Sequence, residues 1–182
     1  IRTVAGGVHP SLLPSDELGP FDGVVIGEGD TDEALWVLGA NSSMESGRTE
    51  DLDQYSPARD AVVGYENYDP YLRGIIQTQR GCPYNCGYCA APKVFGRKVR
   101  TRKPDAVAAE VASLGVSNGR IIDDSFFVNK DHSRAVCAAL AGSGFSWVCD
   151  MALQDANDDA LRWVRKGGGT AINVGVKSAS VR

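Results

Sequence analysis

The chain has 182 residues, 43% hydrophobic and 23% charged, with a formal charge of −4. No apolar run reaches the ~20 residues that a membrane-spanning helix needs, so no such helix is expected. Five cysteines, an odd number with three clustered, exclude a secreted disulfide framework and fit a reducing cytoplasm. The charge is uneven. Residues 1–67 carry thirteen Asp or Glu against three Lys or Arg, and the remainder ten against sixteen, a reversal that marks a domain boundary near residue 67. The chain opens without Met on the apolar run Ile1–Ala5 and stops just after another, so it reads as an internal piece of a longer protein.

In chain order, Val4-Ala5 is a strand running into Gly6-Gly7-Val8-His9-Pro10. A glycine pair at a strand's C-terminal end lets the backbone approach a ligand closely, as in doubly wound nucleotide-binding folds. His9 is expected as a loop imidazole bonded to backbone. A second strand, Phe21–Ile26, ends in Gly27-Glu28-Gly29-Asp30. A helix then starts with Asp30 as N-cap and Glu33 at its third position, burying Ala34, Leu35 and Leu38. Residues 46–73 are polar and turn-prone, broken by Ser56-Pro57 and Asp69-Pro70, and read as a linker. Its tyrosines Tyr55, Tyr65, Tyr68 and Tyr71 are expected to pack it onto its neighbours.

A strand over about 74–79 leads into Arg80-Gly81-Cys82-Pro83-Tyr84-Asn85-Cys86-Gly87-Tyr88-Cys89. Three thiols at C-x3-C-x2-C repel one another as thiolates unless a cation shares them, which indicates a metal site. Closed zinc sites and ordinary iron–sulfur clusters take four ligands, so a set of three is informative. A zinc knuckle completed by a distant cysteine and a redox disulfide remain open on spacing alone. Lys93, Arg97, Lys98, Arg100, Arg102 and Lys103 form a basic stretch, expected as a solvated loop rather than a nucleic-acid surface.

Strands and helices alternate thereafter. A helix from Pro104 buries Val107, Val111 and Leu114, and Arg120–Asp123 forms a strand. A second helix, 131–141, buries Val136, Ala139 and Leu140, followed by a strand over Phe145–Met151. A third helix, capped by Asn157, uses Leu161 and Val164 before a strand over Ala171–Val176. This order predicts a parallel sheet with right-handed crossovers, curling into a full or partial barrel with its chemistry at the strands' C-terminal ends. Cys137, Trp147 and Cys149 are expected to fill core.

With Tyr88 as the aromatic residue before the last cysteine, the motif resembles the signature of the radical S-adenosylmethionine (SAM) enzymes. The resemblance implies a 4Fe–4S cluster on Cys82, Cys86 and Cys89. Its open iron would take the amino and carboxylate groups of SAM, which is cleaved to a 5′-deoxyadenosyl radical with electrons from a donor such as flavodoxin or ferredoxin. It further implies SAM contacts at Tyr88, Asp124, Gly175 and Lys177. Lys177 departs from the family, which commonly carries glutamate there; a lysine only donates and repels a sulfonium.

Gly-Gly-Val-His-Pro together with Val24-Val25-Ile26-Gly27-Glu28-Gly29-Asp30 resembles the end of the cobalamin-binding domain found ahead of many such cores. That places Gly6, Gly7 and His9 beside cobalamin. The expected fold is therefore α/β. The C-terminal end of a Rossmann-like cobalamin-binding domain (1–45) and a linker (46–73) precede a partial (β/α) barrel of the radical SAM type (74–182, the first four strand–helix units). The expected function is a cobalamin-dependent radical SAM enzyme performing methyl transfer, rearrangement or cyclisation. The alternatives are a radical SAM enzyme without cobalamin, or a zinc- or cluster-bearing RNA-binding module. Substrate is set by residues beyond this chain.

Overall fold

The computed structural model describes residues 3–13, 19, 21–32, 34, 44–54 and 56–178. The elements begin with β1 (Val4–Ala5), α1 (Val8–Leu12), β2 (Gly23–Ile26) and β3 (Met44–Glu45). They continue with α2 (Pro70–Arg73), β4 (Ile75–Ile76), β5 (Gln79–Arg80), α3 (Ala91–Val94) and β6 (Arg100–Thr101). The regular part is α4 (Pro104–Ser113), β7 (Asn118–Ile121), α5 (Lys130–Leu140), β8 (Ser146–Met151), α6 (Asp158–Lys166) and β9 (Gly169–Val174). Two compact units result: Ile1–Tyr55 with Gly81–Val99, and Ser56–Arg80 with Arg100–Arg182.

In the first unit β1, β2 and β3 form a parallel sheet in that order, pairing Val4 with Gly23 and Val25 with Met44. Neighbouring strand residues point to opposite faces, yet Val24 and Val25 are both buried, which accounts for the unbroken Val-Val-Ile run. Two expectations need correcting. The stretch after the glycine pair is not a loop: Val8–Leu12 is a short helix, and Ser11 Oγ donates to Gly7 O and accepts from Gly27 N. The cap of the next helix is Thr31 rather than Asp30. Thr31 Oγ1 accepts from Ala34 N at 3.1 Å, while Asp30 Oδ1 accepts from Thr49 Oγ1. Glu33, Leu35 and Leu38 lie outside the described residues.

The expected linker is divided between the units, 46–55 falling in the first and 56–73 in the second, and its second part is not featureless. Short 3-10 turns at Arg59–Ala61 and Tyr65–Asn67 lead into α2, whose cap Asp69 accepts from Tyr71 N. Arg59 donates to Ile75 O at 2.8 Å and pairs with Glu110, and Tyr65 donates to Arg73 O. Tyr55 lies outside the described residues.

The main sheet is parallel, in the order β4-β7-β8-β9, with the strands in chain sequence. Its alternation divides the faces. Ile76, Ile121, Trp147, Cys149 and Met151 join Val107, Val111, Leu114, Val136, Leu140 and Val164 from the helices in one core. The opposite face carries the half-buried Arg120, Val148 and Asp150 and the exposed Ile122, Ala171 and Asn173. Among the described residues Trp147 is the largest buried side chain; its indole N–H donates to Gly167 O, and its ring meets Phe126 edge-on at 5.2 Å.

The helices match their expected faces with two exceptions. Ala139 is half-buried while Cys137 is buried beside Val136, and Leu161 is exposed, its place taken by Ala160 with the half-buried Trp163. The predicted first strand is broken: β4 pairs in the main sheet, whereas β5 pairs antiparallel with β6. Burial explains the break. The carboxylate of Asp123 takes the N–H groups of Thr78 (2.7 Å) and Gln79 (3.1 Å), so the chain leaves the sheet there without orphaned donors. The fourth strand likewise ends at Val174, before Gly175.

Candidate metal centre

The cysteine stretch leaves β5 at Gly81 and returns at β6, where Arg80 is the register partner of Arg100. Gly81 has φ +99°, and a Cβ there would lie 2.3 Å from Lys98 O, so only glycine allows the two limbs to lie this close. Cys82 N donates to Gly96 O at 3.1 Å, and Arg97 Nη2 to Pro83 O at 3.0 Å, drawing the limbs together. Cys82 is buried, Cys89 half-buried and Cys86 exposed. Cys89 N donates to Cys86 O at 3.0 Å, closing a turn that carries Tyr88. Desolvation first, and then the neighbouring Cys86 and Cys89, raise the Tyr88 phenol above its ordinary value.

Among the described residues, no group of three or more His, Cys, Asp or Glu is drawn into a metal-holding set. The donors nonetheless fit an iron–sulfur cluster with one open iron in kind and number: three thiols on one loop, with a part-exposed flank. Cys137 and Cys149 sit in the core of the second unit, where burial above all pushes each thiol up to about 12 and keeps it a neutral hydrophobe.

The acidic pair divides its labour. Asp123 is 2% exposed and accepts from Thr78 N, Thr78 Oγ1 and Gln79 N. Burial pushes its carboxyl up to about 7 against the pull of those hydrogen bonds. Asp124 is half-buried, next to it in sequence. The following residues are tied down too: Ser125 Oγ accepts from Ala152 N, and Phe126 N donates to Asp150 O. Across the open sheet face Arg120 forms an ion pair with Asp150.

Gly175 and Lys177 lie past the end of β9, both exposed, with Lys177 Nζ 3.0 Å from where a Gly175 Cβ would stand. In the first unit Gly7 has φ +95° and would meet nothing within 4 Å with a Cβ, and His9 is exposed on α1. The basic stretch is largely engaged internally. Arg97 bonds Pro83 O, Lys98 pairs with Glu50, Arg100 is buried, and Arg102 pairs with Glu110 and donates to Gln77 O. The expected solvated loop is thus corrected at Arg100 and Arg102.

Sequence reasoning missed the roles of Asp123 and Arg48. Strand parity offered the clue to the first, since Asp123 shares the inward phase of Ile121. Arg48, which donates to Lys93 O and Val94 O, has no local signature.

Residues 76–182 match the sequence profile of the radical SAM superfamily. Over its whole length the chain is 25% identical to an uncharacterized methyltransferase of Pyrococcus horikoshii, covering 46% of that protein. Over 78% of its length it is 26% identical to the hopanoid C-3 methylase of Methylococcus capsulatus, covering 32% of it. The chain therefore spans less than half the length of these curated relatives. Its fold resembles the radical SAM methyltransferase TsrM of Kitasatospora setae, solved with tryptophan and a SAM analogue, with a TM-score of 0.52 at 21% identity. That likeness covers 58% of this chain and 22% of the other. TsrM has also been solved with cobalamin and a 4Fe–4S cluster. The profile match extends over more than half of the chain and includes all three clustered cysteines. This chain belongs to the radical SAM superfamily.

Proposed function

We propose that the chain is the cluster-bearing part of a cobalamin-dependent radical SAM enzyme whose reaction is methyl transfer. The observation that carries this reading is a loop, clasped at its base, with three thiols in a chain of this superfamily. In this reading Cys82, Cys86 and Cys89 hold a 4Fe–4S cluster, and the absent fourth thiolate leaves one iron for SAM. A bound cluster would supply the electron for reductive cleavage of SAM, with methionine as the leaving group, and a bound corrinoid would carry the methyl group.

The chain's own residues bind and orient. Tyr88 flanks the exposed side of the thiols, and Asp124 offers an acceptor to the SAM ammonium. Gly175 leaves room past β9, and Lys177 places a cation there. Gly6 and Gly7 allow a corrinoid to approach the backbone, with the exposed His9 beside it. Residues 1–45 act as the end of the cobalamin domain, 46–73 as the connection and 74–182 as the radical core. An electron donor of the flavodoxin or ferredoxin type in a reducing cytoplasm completes the system. Methylase and methyltransferase names among the relatives support methyl transfer over cyclisation. The alternative of a zinc-bearing RNA-binding module is weakened because Arg100 is buried and Arg102 is paired with Glu110, which takes two of the six cations out of the basic stretch.

The test is anaerobic reconstitution of the full-length protein with iron and sulfide. It should take up about four of each, and the Cys82/Cys86/Cys89→Ala triple variant none, while Cys137→Ala and Cys149→Ala keep the cluster. The same protein should retain a corrinoid. Stoichiometric zinc without iron would sink the reading.

A further inference from the structure

Around the cysteine loop the first unit contains polar links that the proposed chemistry does not use. After β3 the chain runs Ser46-Gly47-Arg48-Thr49-Glu50. Two of these residues grip the Gly27–Asp30 loop. Ser46 Oγ donates to Glu28 O at 2.7 Å, Thr49 N donates to the buried Glu28 carboxylate at 3.0 Å, and Thr49 Oγ1 donates to Asp30 O at 2.8 Å. A Cβ on Gly27 would stand 2.6 Å from Ser46 O, so the two segments are in close register.

Arg48, between them, serves the other limb. Its Nε donates to Val94 O at 3.3 Å and its Nη2 to Lys93 O at 3.2 Å. These are the last carbonyls of α3, a single turn, and the end of a helix leaves such acceptors without helical partners. A planar guanidinium satisfies two neighbouring acceptors at once, which an ammonium does less well. Gly96, at φ +83°, then passes beneath the guanidinium; a Cβ there would lie 3.0 Å from Nε. Gly96 O accepts the amide of Cys82. A continuous series therefore runs from Glu28 through Thr49, Arg48 and Gly96 to Cys82. The nearby Lys98–Glu50 pair is 73% and 68% exposed and adds little to it.

We propose that Ser46–Glu50 is a strap and that Arg48 is a positioning residue for the metal centre, fixing the return limb of the cysteine loop and through it Cys82. This rests on the assignment of Cys82 as a cluster ligand. Arg48 itself is exposed, so its effect is a bias on the loop's geometry and not a condition for folding.

The test uses the full-length protein with Arg48→Ala and Arg48→Lys. Without metal, the amides of Cys82 and Phe95 should exchange hydrogen about three- to tenfold faster in Arg48→Ala. The amide of Ser46, bonded to Ile26 O, should keep its rate, and Arg48→Lys should fall in between. After reconstitution to equal iron content, the paramagnetic resonance line shape of the reduced cluster should change in Arg48→Ala and return part-way in Arg48→Lys. Unchanged exchange at Cys82, equal acceleration at Ser46, or an unaltered cluster signal at equal iron would each overturn the strap. If the wild type takes up no iron, the cluster assignment fails and Arg48's role at a metal fails with it. Unchanged exchange in an iron-loaded protein overturns the strap alone.

Discussion

In the second unit sixteen buried apolar residues share one core around Trp147 and Phe126, whereas the described residues of the first unit gather only Val25 and Ala34, with Val4 against them. The first unit's strands are two to four residues long, and its loops are held by side chains such as Ser46, Thr49 and Arg48 reaching backbone atoms. The difference separates two ways of ordering a chain. Apolar burial is strong and non-directional, contributing ~25 cal/mol per Å2, so it tolerates imprecise geometry and fixes whole elements. A hydrogen bond contributes about 1 kcal/mol net but demands distance and angle, so it fixes individual atoms. The thiols lie in the region ordered by the second means.

Trp147→Ala is the strongest way to break this contrast. It removes the largest buried ring, with the hydrogen bond to Gly167 O and the edge contact to Phe126, and should cost the second unit about 3–5 kcal/mol. Urea unfolding followed by circular dichroism measures it; a loss below ~1 kcal/mol would mean that the apolar core does not dominate.

Asp123 sharpens the contrast, being a polar clamp inside the apolar unit. The folded state holds its proton up to about 7, while the unfolded chain releases it near 3.8. Between those values the folded state binds more protons, so stability should fall as pH rises from about 4 to about 7 and level off above. The loss is at most ~4 kcal/mol, and Asp123→Asn should abolish this pH dependence. Unfolding midpoints from pH 4 to 8 for both proteins give the comparison, and matching slopes would overturn the account. Lys98→Ala marks the lower end. Its pair with Glu50 at 2.5 Å is largely in solvent, and the change should shift stability by less than ~0.5 kcal/mol, within the scatter of a thermal melt. A larger loss would show that the first unit draws real stability from surface charge.

The same contrast decides what was legible in the sequence. The helices α4, α5 and α6 could be read from apolar spacing and from Pro104 and Asn157, because burial leaves a period and caps leave a residue type. The cysteine motif was legible as a family signature because its three thiols fall within eight consecutive residues. The break between β4 and β5 was not, since its cause, Asp123, lies 45 residues from Thr78. Nor were α1 and Arg48: a helix of five residues has too little period to register, and a guanidinium that reaches carbonyls 45 and 46 residues away leaves no local mark.

The short β5–β6 ladder, which pairs Gln79 with Thr101 and Arg80 with Arg100, has a further consequence for how the protein can vary. Once the base is closed, the chain between Arg80 and Arg100 is a loop whose closure entropy grows only with the logarithm of its length. Doubling it adds about 0.6 kcal/mol. Residues inserted among 83–87, where the chain is mostly exposed, would therefore hardly disturb the sheet, while altering how far each thiol can reach. The fold thus leaves the length of the loop's exposed tip nearly free while its limbs stay fixed by their own hydrogen bonds.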